Sequence, residues 1–492
     1  MSDIVVTIKD DVFLRVESEM GIAHELSSFF TFEVPGAKFM PAYRSRQWDG
    51  KIRLFNVFGG EVYVGLINYI IEFAKHRNYT IEYPQLGDQE SLESTETFIK
   101  GLNPHSNGNP ILPYDYQINA VNWGITESRA LLLSPTSSGK SFMIYALTQY
   151  YRKKLNEKIL IIVPTTSLVE QLHKDFKDYA SELDPTFSED NVHRIYSGKE
   201  KVTDKQIIIT TWQSIYKLKK PFFEQFGCVI GDEAHNFKAK SLTSILTKMT
   251  DCKYKFGFTG TLDGTTTHKL VLEGLFGAIR KVTTTKELMD SDTISKLHIE
   301  AITFKYDDAE RKFVKPMTYQ EEIDFLIGHV KRNKFICDLT LSRTKNTLVL
   351  FQFVEKHGKH LFNYLKKKEP NRPIFFVSGS TKVDERERIR EITESSSNAI
   401  IVASYGTYST GINIRNLHNI IFAHPSKSRI RNLQSVGRGL RKSEGKGKAT
   451  LFDISDDLSW KKHKNFSLKH FIERIKIYNT EKFDYKLRTI TL

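Results

Sequence analysis

The chain has 492 residues, 40% hydrophobic and 26% charged, the composition of an ordinary globular protein with room for about two to four cored domains. Its 72 Lys and Arg against 58 Asp and Glu leave a formal net charge of +14, which suits a polyanionic partner such as nucleic acid and equally a merely basic surface. Three cysteines, Cys228, Cys252 and Cys337, lie far apart without metal-ligand spacing, which excludes a disulfide framework and a zinc site and points to a reducing, intracellular setting.

The first residues, MSDIVVTIKDDVF, carry acids where a signal peptide needs an apolar core. No apolar run is long enough to span a bilayer, so a cytoplasmic protein without a membrane partner is expected. Residues 1–105 read as a small α+β domain closing in the polar linker DQESLESTETFIKGLNPHSNGNPILP. Within it, RSRQWDGKIRLFNV sets Asp49-Gly50 between alternating residues, the chemistry of a two-residue hairpin turn. Arg44, Arg46, Trp48, Lys51 and Arg53 would form a basic and aromatic ribbon there, suited to phosphate contacts and base stacking. A solvated strand face with Trp48 in a core is the competing reading.

From Ile159 onward, short β-branched runs alternate with helical stretches: KILIIVP, QIIITTW, CVIGDEAH and KFGFTGT. The pattern restarts with NTLVLFQF, RPIFFVSG, AIIVASY, HNIIFAHP and KATLFDIS. Parallel strands buried on both faces have this character, so two doubly wound α/β domains in tandem are expected, over residues 106–295 and 296–455. Residues 456–492 place Leu468, Phe471, Ile472, Ile475 and Tyr478 at helical spacing, the pattern of a short C-terminal helical appendage.

ALLLSPTSSGKSFMIYALTQYY reads as strand, loop and helix. A loop of small residues in that setting lets backbone N–H groups converge on phosphate oxygens at the positive helix end. Gly139 permits close approach, Lys140 neutralises terminal phosphates and the Ser141 hydroxyl can ligate magnesium. Ser134 stands where such loops begin with glycine, but Thr136, Ser137 and Ser138 keep the turn small and polar. In CVIGDEAHNF an apolar strand ends in Asp232 and Glu233, at the sheet edge where ligands bind in such folds. Asp232 can hold the magnesium through water, and Glu233 can orient and deprotonate an attacking water. Upstream, Gln117 offers an amide to an adenine edge, with Tyr114 or Tyr116 available to stack. In LQSVGRGLRK, Arg438 and Arg441 are three apart on one side of a helix, where both could reach a γ-phosphate.

Taken together, Gln117, SPTSSGKS, VPTTSLVEQ, TTWQS, GDEAH, TGT, FVSGS, ASYGTYSTGINI and QSVGRGLR resemble the ordered motifs of superfamily 2 helicases and translocases. That resemblance implies two RecA-like domains, ATP and Mg2+ as cofactors, and DNA as partner. It also implies backbone contacts by Thr165, Thr166, Thr211 and Gln213. Thr259 to Thr261 would couple the nucleotide site to that path, while Gly411, Asn413 and Gln434 would belong to the nucleotide cleft. The N-terminal FTFEVPGAKFMPAYRSRQWDGKIRLFN further resembles phage helicases that migrate branches. Such a monomer would unwind 3′ to 5′ at forks, Holliday junctions and R-loops, acting on branched or single-stranded DNA and RNA–DNA hybrids in recombination and replication control. Ser137 departs from the superfamily pattern, where glycine is usual. A duplex translocase that does not separate strands, and a non-enzymatic binder of branched DNA with a degenerate nucleotide site, are the rival readings.

Overall fold

The structure, a computed structural model, describes residues 2–87, 90–196, 198–236, 239–262, 266–411, 414, 416–425 and 447–492. It forms two compact units, the first taking the chain up to Ser134 and then Gly139–Thr283, the second taking Pro135–Ser138 and Thr284–Leu492. Each holds a seven-stranded sheet in which every pairing is parallel. These are the tandem RecA-like sheets expected from the β-branched runs.

In the first unit the strand order is Val192–Ile195, Ile207–Thr211, Lys158–Val163, Phe226–Gly231, Tyr254–Thr259, Arg129–Leu133, Ile279–Lys281. Side chains alternate across a strand, so each central strand feeds two cores. Ile159, Ile161 and Val163 face helices Asp115–Glu127, Lys140–Lys154 and Thr166–Ala180, whereas Leu160 and Ile162 join a core on the opposite face.

That opposite core continues into the N-terminal region. A five-stranded sheet there runs Phe55–Asn56, Glu61–Tyr63, Phe13–Ser18, Ile4–Ile8, Ile81–Glu82, and its helices Met20–Phe29 and Ile67–Arg77 add Leu26, Ile70 and Phe73 to the same apolar cluster as Leu131, Leu160 and Phe276. Polar contacts pin the junction. Arg129 Nη2 donates to Asp11 O at 2.6 Å, Asp11 N to Thr250 O at 2.9 Å, and Tyr69 OH to Glu273 Oε2 at 2.7 Å. Gly65 is required here because a Cβ would stand 1.9 Å from Glu273 O. Close by, burial lowers the Lys255 ammonium to about 8, and its Nζ donates to Met249 O and Cys252 O at 2.9 and 2.7 Å.

The expected hairpin at Asp49-Gly50 is replaced by another arrangement. Pro41–Arg44 is a helical turn, Arg46 is left-handed at φ 57°, and Lys51–Arg53 pairs antiparallel with Thr31–Glu33. Proline at the first helical position favours the turn over a strand. The basic residues therefore do not lie on one ribbon: Lys51 and Arg53 share a strand face, while Arg44 ends the helical turn.

In the second unit the order is Ile374–Val377, Ile400–Ser404, Thr347–Phe351, Asn419–Phe422, Lys448–Asp457, Lys296–Lys305, Tyr485–Thr491. The C-terminal segment supplies the expected helix, Phe466–Thr480, and then adds a strand that closes the sheet edge. Two buried triads clamp Lys448–Asp457 from opposite faces. Asp453 accepts from Arg474 Nε at 2.9 Å and Tyr478 OH at 2.8 Å; Asp456 accepts from Arg332 Nε at 2.8 Å and Tyr306 OH at 2.7 Å. Glu322 caps the tail helix, its carboxylate accepting from Phe466 N and Ser467 N at 2.8 and 2.7 Å.

Arg474→Met is expected to cost about 3–5 kcal/mol of unfolding free energy, because it leaves the Asp453 carboxylate buried without its cation; urea titration of the full chain measures it. At the edge strand, Arg488 Nε donates to Glu300 Oε2 at 2.5 Å and, with His298, holds the Glu300 carboxyl down to about 2 from its ordinary 4.5. A carboxyl depressed by folding stabilises above its unfolded value. Hydrogen exchange over Tyr485–Thr491 should be faster in Arg488→Ala than in wild type above pH 4.5, and the difference should vanish as pH falls to about 2.

Candidate functional site

The loop after Arg129–Leu133 is built by extending the parallel ladder one residue. Ser134 N donates to Thr259 O at 2.8 Å, and Ser134 is fully buried. Its own carbonyl accepts from Lys140 Nζ at 3.2 Å. Ser138 turns inward, its hydroxyl donating to Pro135 O at 2.7 Å, and Thr136 is half-buried. Ser137 and Gly139 both occupy the left-handed region, at φ 70° and 81°. Gly139 is also where the Gln117 side chain packs: a Cβ there would stand 2.2 Å from Gln117 Nε2. The Gln117 Oε1 accepts from Tyr114 N at 3.0 Å, so this buried glutamine links its own helix start to the loop. Tyr114 and Tyr116 rings stack on each other, centroids 5.4 Å apart and planes 8° apart, with Tyr114 half exposed. Burial raises the Tyr116 phenol above its ordinary range.

Asp232 and Glu233 stand at the carboxyl edge of Phe226–Gly231, two strands from the loop strand. Asp232 N donates to Ile162 O at 2.9 Å, and Glu233 N donates to Asp232 Oδ1 at 2.8 Å, with Glu233 strained into the left-handed region at φ 51°. Lys140 Nζ is 3.9 Å from Glu233 Oε1. Burial and then the neighbouring Glu233 charge raise the Asp232 carboxyl, with Lys140 opposing them. His235, to which sequence reasoning assigned no role, binds through Nδ1 to Thr259 Oγ1 at 2.7 Å, and Thr259 Oγ1 donates to Thr261 O at 2.8 Å. The carboxylate loop and the TGT segment are thereby joined at one strand end.

Two further side chains escaped sequence reasoning. Tyr179 OH lies 2.8 Å from Ser141 Oγ, and Asp175, one turn earlier on Thr166–Ala180, adds negative charge that raises Asp232. Their four-residue spacing in KDFKDYA is the only sequence signal, and it marks a helix face without saying what that face meets.

Along the proposed nucleic-acid path, Thr165 caps Thr166–Ala180 through Leu168 N at 3.4 Å, and Gln213 Nε2 reaches Pro164 O at 3.3 Å, tying the two motif loops together. Thr166 and Gln213 are exposed, whereas Thr211 is buried with its hydroxyl 2.9 Å from Ser214 Oγ. Arg44, Arg46, Lys51 and Arg53 are exposed; Trp48 is half-buried and donates its indole N–H to Lys51 O at 2.8 Å. Gly411 ends helix Tyr405–Gly411. Asn413, Gln434, Arg438 and Arg441 lie outside the described residues.

Comparison with known proteins gives three family matches: "DNA helicase UvsW, N-terminal" over residues 3–83, "Type III restriction enzyme, res subunit" over 110–264, and "Helicase conserved C-terminal domain" over 331–443. The ATP-dependent DNA helicase UvsW of Enterobacteria phage T4 is 36% identical over 510 aligned residues, covering 100% of both chains. The chain belongs to the UvsW family of superfamily 2 helicases. The crystal structure of T4 UvsW matches it with a TM-score of 0.54 over 99% of each chain. A DNA 3'-5' translocase, XPB2 of Sulfurisphaera tokodaii, is 26% identical over 147 residues, 30% of each chain. As a UvsW-family member, the chain is an ATP-dependent DNA helicase with DNA as its partner. No helix among the described residues is long and apolar enough to cross a membrane.

The left-handed φ at position 137 yields a test. Ser137→Gly is expected to bind nucleotide at least as tightly as wild type, while Ser137→Val, β-branched in that region, is expected to bind it at least about five-fold more weakly. Titration with a fluorescent ATP analogue measures both.

Proposed function

We propose that this UvsW-family helicase migrates branch points, moving 3′ to 5′ on one strand at forks, four-way junctions and R-loops as a monomer. The observation that carries the reading is end-to-end similarity to T4 UvsW, N-terminal domain included, in a chain whose Lys140, Ser141, Asp232 and Glu233 gather at one sheet edge. Lys140 would meet the terminal phosphates, Glu233 would take the proton of the attacking water, and Arg438 and Arg441 would stabilise charge developing on the γ-phosphoryl group. Tyr116 and Gln117 would hold the adenine, with Thr136 to Gly139 cradling phosphate and Gly411, Asn413 and Gln434 completing the nucleotide contacts.

The residues present fit Mg2+. Ser141 offers a hydroxyl and Asp232 a half-buried carboxylate, hard oxygen donors whose local negative charge favours a cation. Bound Mg2+ supplies charge neutralisation on the β- and γ-phosphates. Thr165, Thr166, Thr211 and Gln213, with Arg44, Arg46, Trp48, Lys51 and Arg53, would contact branched DNA, single strands or RNA–DNA hybrids chiefly through the backbone.

The similarity to a protein named DNA 3'-5' translocase supports a second reading, duplex translocation without strand separation. One experiment separates them. With ATP the chain should convert a four-way junction into two forks, and Lys140→Ala should bind the junction normally while hydrolysing ATP at least about a hundred-fold more slowly. Displacement of a triplex strand with the junction left intact would favour the second reading and overturn the first.

A further inference from the structure

A serine hydroxyl that ligates a hard cation does so through an oxygen lone pair, so its proton must point elsewhere. At Ser141 the structure offers an acceptor. Tyr179 OH stands 2.8 Å from Ser141 Oγ, across the packing of helix Thr166–Ala180 on Lys140–Lys154. The phenol is held rigidly, its ring set edge-on to Phe142 at 5.8 Å and against Tyr145 at 5.4 Å, so the hydroxyl position is fixed by core packing. Asp175, four residues earlier on the same helix, places its charge toward Tyr179 and Asp232.

We infer that Tyr179 is a positioning residue for the nucleotide-bound metal ion, accepting the Ser141 hydroxyl proton so that the Ser141 lone pair faces the cation. The inference rests on the reading of Ser141 as a magnesium ligand. Tyr179 itself touches neither metal nor nucleotide. Its effect is to hold the rotor of the residue that does, the role that outer hydrogen-bond partners play at metal sites generally. Phenylalanine at this position would keep the ring packing and remove only the acceptor.

The test is binding of a fluorescent ADP analogue to the full chain, with Mg2+ titrated and, separately, with Mg2+ chelated. In Tyr179→Phe the Mg2+ concentration for half-maximal enhancement of binding should rise about five-fold, the ratio that loss of one hydrogen bond produces, while affinity in chelator stays at the wild-type value. In Ser141→Ala the metal dependence should weaken more, and adding Tyr179→Phe to it should change nothing further. An unchanged Mg2+ requirement in Tyr179→Phe, with Ser141→Ala impaired, would overturn the role of Tyr179 alone. An unchanged requirement in Ser141→Ala would overturn the ligand reading beneath it. Equal loss of affinity with and without Mg2+, or a lowered thermal midpoint in Tyr179→Phe, would make the phenol a support of the fold and also overturn the inference.

Discussion

One ladder hydrogen bond carried past the end of a strand organises the nucleotide loop: Ser134 N–H to Thr259 O at 2.8 Å. It buries Ser134, aims its carbonyl at Lys140 Nζ, and anchors the loop to the strand end whose Thr259 hydroxyl meets His235. Ser134 keeps its backbone out of the left-handed region, so no glycine is needed there. The position where glycine would relieve strain is Ser137. Two departures from the superfamily loop that look alike in sequence thus differ physically: one is a ladder residue, the other a turn residue.

The second unit sets buried charge beside its apolar core. Its strand Lys448–Asp457 carries Asp453 and Asp456 on opposite faces, each fully buried and each met by an arginine and a tyrosine. Buried ion pairs seldom add net stability over apolar packing, but each fixes geometry because a shifted partner leaves a bare charge. Here they fix the helices that carry Arg332 and Arg474 against the sheet, and Glu322 fixes where the second of those helices begins.

The strands were legible because buried parallel strands leave unbroken β-branched runs, and the nucleotide loop because its residue types follow from phosphate geometry. Less of the N-terminal region could be read. Lys51–Arg53 pairs with Thr31–Glu33 across an intervening helical turn, and Asp49-Gly50 carries no mark distinguishing that long-range pairing from a local hairpin. The final strand, YKLRTIT, is an exposed, charged sheet edge and so lacks the apolar signature of its neighbours. Nothing local in the sequence around Arg332 or Arg474 names the carboxylates, Asp456 and Asp453, that the fold brings to them. Tyr179 was invisible for a related reason: its partner Ser141 is set by how two helices cross, which no local pattern encodes.

The shared core of the N-terminal sheet and the first RecA-like sheet bears on how such chains can be divided. Leu26, Ile70 and Phe73 lie in one apolar cluster with Leu131, Leu160 and Phe276, and Gly65 abuts the Glu273 carbonyl too closely for any side chain. Where a polar linker was expected, helix Leu92–Gly101 instead packs Ile99 into the core beside Val121, and a cut there would not release a smaller soluble motor. It would bare the apolar face of the first RecA-like sheet and leave Arg129 without the Asp11 carbonyl, so the two sheets depend on each other for burial.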